Sequence, residues 1–441
     1  MLPSYLFKKV DNSQLIIFRI ALGLLLTWHC ASHIFDGTVY KLFIKPKVTF
    51  NFMGMDWLQP LPGHGMYYYH ALMCVLALCI AAGYKYRYTL LAFTLLWAGT
   101  YFMQKTIYNN HHYLILLLLI MMLLVPANTY ASVDSKVKPQ LKQNSMPVWC
   151  SYIFMLQIAI VYFYAAVAKL YPDWFNGRFI SIIIGKYHGQ YLDFFTQSHH
   201  AYLFLAWGGF LFDLLIVPML LYKRTRFIAT IAALGFHIFN FLSLNIGIFP
   251  LLSISYIIFF YPPEDVRHFF LSKKPKYITE EISTYDYKGK NLIYFFFIPY
   301  FIIQLALPLR HWFIDGDVIW TEEGHFLSWR MMLKTSKGTA VFTVKDKKTN
   351  AECTYELTDI LTKMQIKGMA TKPTMILQTA HLIKREYASQ GKDVAVYVNA
   401  LSSLNRHSLK ALIDPKIDLA STEWNYFGHN DWILLYDDYY N

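Results

Sequence analysis

The sequence predicts a polytopic α-helical membrane domain followed by a small exoplasmic β-rich or α+β domain, and three observations carry that prediction. The 441-residue chain is 56% hydrophobic and 18% aromatic but only 15% charged, well below the roughly 25% charged residues of an ordinary soluble domain. Apolar runs of near-spanning length recur along residues 1–310 and stop there. The basic residues between those runs fall in alternate loops, as the positive-inside bias requires.

The apolar runs lie at about 13–32, 66–84, 88–103, 112–126, 148–168, 201–222, 226–241, 246–261 and 291–309, which predicts nine spans. The third, fourth and seventh are short and are expected to sit among neighbouring helices. The first run follows Lys8 and Lys9 and reaches Cys30. Thr27, Trp28 and His29 are too bulky for a small-residue cleavage site, so it reads as a retained helix.

The formal net charge of +12 raises the question of nucleic-acid binding. The cations, however, cluster at Lys8 and Lys9, at Lys85 and Arg87, and at Lys136, Lys138 and Lys142. They recur at Lys223, Arg224 and Arg226, and at Lys273, Lys274 and Lys276. That placement is a topology signal with these loops cytoplasmic, and no nucleic-acid partner is expected. The N-terminus is then cytoplasmic, and an odd span count leaves residues 311–441 exoplasmic. The loops 33–65 and 171–200, with turns near 104–111 and 242–245, fall on the same side.

The C-terminal region turns polar, with period-two alternation at Thr339–Val344, Cys353–Leu357 and Val394–Val398 and a helical pattern over Met375–Tyr387;. Cys30, Cys74, Cys79, Cys150 and Cys353 form no CxxC or Cys/His ligand spacing, so neither a metal nor a disulfide framework is expected;.

Ionisable side chains in apolar segments are functional candidates. Asn109, Asn110 and His111 precede the fourth run, Lys169 ends the fifth, His237 and Asn240 end the seventh, and His311 follows the ninth. On the topology above, all reach the exoplasmic end of the bundle. A desolvated lysine there can supply neutral amine as a base. Competing readings are an interfacial lysine that snorkels, histidines satisfied in the core, and asparagines that cap helices. Arg19 and Asp213 read best as a buried structural pair.

These residues carry a resemblance to the vitamin K-dependent γ-glutamyl carboxylase family and to bacterial membrane proteins sharing its HTTM helical domain. The matching stretches are Phe18-Arg19-Ile20 with Gly23, Thr106 to Leu114, Ala127-Asn128 with Ser132-Val133-Asp134, and Gln157 with Ile160 to Phe163. They continue through Ala168-Lys169-Leu170 with Asp173-Trp174 and Gly177, and Phe236-His237 with Asn240, Ile246-Gly247 and Phe249. The register extends to His311, Trp320, Trp329, Met331-Met332 and Ile413-Asp414-Pro415.

The resemblance implies an enzyme that oxidises vitamin K hydroquinone, or menaquinol, with O2 to the 2,3-epoxide. The strong base so generated removes a glutamate γ-proton, and CO2 adds to the carbanion. It makes Lys169 the base that deprotonates the quinol, with Asn110 and His111 on the quinone oxygens and His237 and His311 supporting the pocket. Asn109, Asn240 and Tyr162 are further candidates for contact with the quinol, and other aromatics such as Tyr108, Phe163, Tyr164 and Trp174 are candidates to line its slot. The implied partners are the lipid bilayer, the naphthoquinol and a glutamate-containing protein or peptide, with no metal.

There are departures. Ala168-Lys169 stands where animal members have two lysines, and no cysteine in the loop 33–65 is available to join Cys353. The shorter chain points to a bacterial plasma-membrane protein. Three alternatives stay open: quinol epoxidation without carboxylation, a membrane acyltransferase, and a non-enzymatic anchor.

Overall fold

The computed structural model describes residues 3–106, 108–185, 198–244, 246–278, 287 and 289–436. Ile107 of the Thr106–Leu114 motif, Asn245 of the turn expected near 242–245, and residues 186–197 of the loop expected at 171–200 lie outside them.

All nine apolar runs are helical. In chain order they are α1 (Ser13–Phe35), α2 (Gly65–Ala82), α3 (Tyr86–Met103), α4 (Asn110–Leu124) and α5 (Trp149–Val167). After the short α6 (Pro172–Phe175) and α7 (Arg178–Ile184) come α8 (His199–Leu221), α9 (Arg226–Ser243), α10 (Phe249–Tyr256) and α11 (Lys290–Phe313). Six of them, α1, α2, α5, α8, α9 and α11, are long and apolar enough to cross a membrane.

The expectation of nine spans is therefore not established. Helix α3 has the length, but Arg87 and its tyrosines and threonines dilute its apolar character. Helix α4 and the stretch Phe249–Phe260 are short apolar helices. The seventh run departs from expectation in another way, because α9 is a full-length candidate and only 22% of its apolar window is buried. Its helix extends to Ser243, so it has no need of a recessed position.

Close approach of α1 and α2 explains one of the sequence motifs. A Cβ at Gly23 would lie 2.5 Å from the Ala81 nitrogen, so only glycine lets the two backbones meet there. Arg19 is fully buried and donates to the Ala131 carbonyl at 2.6 Å. Its guanidinium fills the space over Gly83, which caps α2 at φ +64°. The pair expected between Arg19 and Asp213 is not formed, since Asp213 is bound to Lys169 instead.

The basic loops gather at one end of the bundle. The strand β1 (Lys9–Asp11) pairs antiparallel with β2 (Ser145–Pro147), and Lys274 reaches Asp11 at 2.6 Å. Asp134 accepts from the backbone nitrogens of Lys85 and Tyr86 at 2.7 and 3.0 Å and so fixes the start of α3.

The other end carries the C-terminal domain. Its sheet runs in the order β4 (Glu352–Thr354), β3 (Ser336–Asp346), β5 (Val394–Leu404), β6 (Lys410–Ala411), all antiparallel. Helix α12 (Pro373–Ser389) buries Met375, Ile376, Leu377, Ala380 and Ile383 against it, which makes the domain α+β. The strand expected over Cys353–Leu357 stops at Thr354, where Glu356 caps a tight turn by accepting from the Thr358 nitrogen.

Side chains of this domain clamp the loops between helices. Gln365 donates to the Val48 carbonyl at 2.8 Å, Gln378 to that of Asn51 at 2.9 Å and Lys372 to that of Thr106 at 3.2 Å.

Candidate functional site

The chain leaves α5 at Val167 and turns before Pro172, which disfavours helix at the residue ahead of it;. Lys169 lies in this turn and folds back, donating to the Ala165 carbonyl at 3.1 Å, one of the acceptors left open at a helix C-terminus;. Its ammonium forms an ion pair with Asp213 of α8 and sits 5.0 Å from the centre of the Trp174 ring. Lys169 and Asp213 are each 7% exposed, so the pair is held in a low dielectric where removal of either partner leaves an uncompensated charge.

The pair lines a cavity of about 380 Å³, within the range of small-molecule sites. His111, Tyr162, His237 and Asn240 line the same cavity, and its walls are otherwise apolar: Phe179, Phe212, Phe236, Phe249, Met331 and Met332. Tyr162 Oη and His237 Nε2 are hydrogen-bonded at 2.7 Å. The His111 ring stacks on Phe249 with centroids 4.3 Å apart. His111 Nδ1 and His237 Nδ1 are buried without a hydrogen-bond partner, an arrangement native cores rarely keep without a reason.

The remaining candidates fall outside this cavity. Asn109 is the N-cap of α4 and accepts from the His111 nitrogen at 2.8 Å, the ordinary use of asparagine there. Asn110 receives a hydrogen bond from Tyr108 Oη and gives one to the Arg330 carbonyl, each at 2.9 Å. His311 lies against the Pro308 carbonyl at 2.7 Å and 3.5 Å from Arg330. The expectation that all these side chains meet in one pocket is corrected accordingly. Their depth in the bundle agrees, but helix rotation points them elsewhere.

Asn109 and Asn110 instead line an adjoining cavity of about 390 Å³, which shares His111, Met331 and Met332 with the first. Its far wall is polar, with His325, Arg330 and Lys334. Lys334 pairs with Glu322 at 2.9 Å. Burial opposes the charge on Glu322, but Lys334, His325 and Lys372 together outweigh it, and the carboxyl is held down at about 2. Burial, reinforced by Lys372, lowers the Lys105 amine to about 7.

Sequence reasoning missed two features. Asp213 was visible as a carboxylate in an apolar run, but was assigned to Arg19. His29, His33, His70 and His112 line a third cavity of about 50 Å³ on the opposite side of α4. The rings of His29 and His33 are 4.1 Å apart, and those of His29 and His112 are 5.3 Å apart. The spacing of His29 and His33, four residues apart on α1, was the available signal. Among the described residues, no three or more His, Cys, Asp or Glu side chains are arranged to hold a metal ion.

Fold and cavity together define a multi-pass helical membrane protein whose apolar pocket, with a few polar groups, lies at the end that carries an α+β domain. Residues 7–264 match the HTTM domain family, and residues 289–439 match the lumenal domain of vitamin K-dependent gamma-carboxylase. With both regions in this order, the chain belongs to the vitamin K-dependent gamma-carboxylase family. No solved structure matches it.

Proposed function

We propose that the protein oxidises a naphthoquinol, such as vitamin K hydroquinone or menaquinol, with O2 to the 2,3-epoxide and couples this to carboxylation of a glutamate side chain with CO2. The observation that carries the reading is the Lys169–Asp213 pair inside an apolar cavity in a chain of this family. Neither lysine nor carboxylate is basic enough to remove a glutamate γ-proton, so the exergonic oxidation has to supply the stronger base.

The pair acts as one unit. As the Lys169 ammonium passes a proton to Asp213, the freed amine takes one from the quinol hydroxyl, which leaves ammonium and carboxylic acid. Lys169 is therefore the base in partnership with Asp213, a role that hydrogen-bond reach to the quinol makes possible. Tyr162 and His237 orient each other and offer a hydrogen bond to a quinone oxygen, and the phenylalanine walls exclude water from the reaction. Asn240 and His111 complete the polar lining. Arg330 gives the adjoining cavity a charge suited to a glutamyl carboxylate;. The basic loops face the cytoplasm, and the α+β domain faces out.

The test is conversion of vitamin K hydroquinone by purified protein in detergent, wild type beside Lys169→Ala, with labelled CO2 and a glutamate-containing peptide. Lysine-dependent epoxide and label in the peptide are expected. Epoxide without label leaves an uncoupled epoxidase, and no epoxide from folded protein defeats the reading in favour of acyl transfer or anchoring.

A further inference from the structure

Asp173 is a carboxylate with no exposure, four residues beyond Lys169 in the turn that starts α6. It accepts from Asn405 Nδ2 at 2.9 Å, and His407 Nε2 lies 3.0 Å from both of its oxygens. The half-exposed Arg178 approaches it at 3.4 Å. Asn405 and His407 belong to the C-terminal domain, just past β5, in a turn that is itself rigidly held. Asn405 exchanges two hydrogen bonds with the Thr335 backbone at 2.8 and 2.9 Å, and Ser403 Oγ donates to the His407 carbonyl at 2.7 Å.

The residue after Asp173 is Trp174, whose indole nitrogen donates to the Ala206 carbonyl at 2.8 Å and whose ring stands beside the Lys169 ammonium. A second tie runs in parallel, from the Tyr171 hydroxyl to the Leu333 carbonyl, next to the cavity-lining Met331 and Met332. The segment 169–174 thus reaches into the cavity at one end and is gripped by the other domain along its length. A buried carboxylate is stable only while its donors stay in place.

We propose that Asp173 is a positioning residue. Clasped by Asn405 and His407, it seats the α6 turn so that Trp174 holds Lys169 against Asp213, and it makes the membrane cavity competent only when the C-terminal domain is docked. The effect on turnover rests on the function proposed above, whereas the clasp itself does not. A structural tie alone would lower stability and leave the kinetics of the folded enzyme unchanged. A positioning tie lowers kcat in protein that remains folded.

The experiment compares wild type, His407→Ala, His407→Gln and Asp173→Asn for hydroquinone epoxidation and for backbone hydrogen exchange over residues 169–178. His407→Ala is expected to cut kcat about tenfold with KM within about twofold, a loss confined to the transition state, and to speed exchange in the segment. His407→Gln, which keeps a donor, is expected to recover most of both, and Asp173→Asn to resemble His407→Ala. Unchanged kcat and exchange in folded His407→Ala overturn the proposal, as does an equal loss in His407→Gln. If wild type makes no epoxide while exchange responds as stated, the functional reading fails and the clasp stands.

Discussion

Two buried lysine–aspartate pairs stand at opposite ends of this bundle with nearly the same partners. Lys274 binds Asp11 at 2.6 Å, donates to the Asn144 carbonyl at 3.2 Å and lies 5.6 Å from the Tyr130 ring. Lys169 binds Asp213, donates to the Ala165 carbonyl at 3.1 Å and lies 5.0 Å from the Trp174 ring. The difference lies on the carboxylate and around it. Asp11 also accepts from the Ser13 nitrogen and hydroxyl at 2.9 and 2.5 Å and is packed into the β1–β2 corner. Asp213 faces open volume beside Tyr162 and His237. The first pair is embedded in a backbone network and fastens loops together. The second keeps its proton within reach of a guest molecule. A buried ion pair therefore reads as chemistry when it borders a cavity and as architecture when it is packed into a corner of backbone.

The sharpest way to break this comparison is to remove both pairs in the same manner. Lys169→Ala and Asp213→Asn should each lower epoxidation in folded protein by about a thousandfold, the middle of what a positioned acid–base group contributes. Lys274→Met should leave kcat of the folded fraction unchanged while destabilising the protein by about 3–5 kcal/mol, because Asp11 is then buried without its cation. Adding Asp11→Leu to Lys274→Met should restore much of that stability. Adding Asp213→Leu to Lys169→Met should restore stability but no turnover. Turnover and chemical unfolding in detergent, measured side by side, check all five variants. Activity surviving in the Lys169 variants would reduce that pair to architecture as well.

How far the sequence could be read follows from the same physics. Lys169, His111, His237 and Asn240 stood out because a polar side chain in an apolar run is conspicuous, and their depth followed from counting residues from the loops. What residue counting cannot supply is rotation about the helix axis. Asn110 and His311 share the depth of the cavity and point away from it. Asp213 was equally conspicuous, but whether it met Arg19 or Lys169 depended on which helices are neighbours. Gly23 and Gly83 made Arg19 a local fastening at the far end. The paired strands β3 and β5 and helix α12 were legible from alternation and 3.6-residue periodicity, because one face of each is buried. The clasp on Asp173 was not, since it joins residues more than 200 positions apart.

A third ion pair sharpens the comparison through pH. Glu322, 6% exposed and bound to Lys334, has its carboxyl held at about 2 against an ordinary value of 4.5. A carboxyl lowered by folding stabilises the folded state fully above its unfolded pKa, and the contribution fades as the pH falls from about 4.5 toward about 2;. Wild type should therefore lose about 2 kcal/mol more than Glu322→Gln between about pH 5 and pH 3. Unfolding titrations of both proteins check it. Parallel pH profiles would mean that this pair contributes nothing to acid stability.

The smallest effect expected is at Tyr162, and it separates positioning from proton transfer within the cavity. Its hydroxyl and His237 Nε2 are joined at 2.7 Å, while His237 Nδ1 has no partner. Tyr162→Phe keeps the ring and the apolar wall but frees His237 to turn and to change tautomer. One hydrogen bond lost from an orienting pair corresponds to about 1 kcal/mol, so kcat/KM for the quinol should fall about five- to tenfold. The loss should appear mainly in KM if the pair only seats the quinone ring, because binding is then weakened equally in the ground and transition states. It should appear mainly in kcat if the pair stabilises charge that develops on the quinone oxygen. Steady-state epoxidation over a range of quinol concentrations decides between the two. An unchanged kcat/KM would place the quinol on the Lys169–Asp213 side of the cavity, away from Tyr162 and His237.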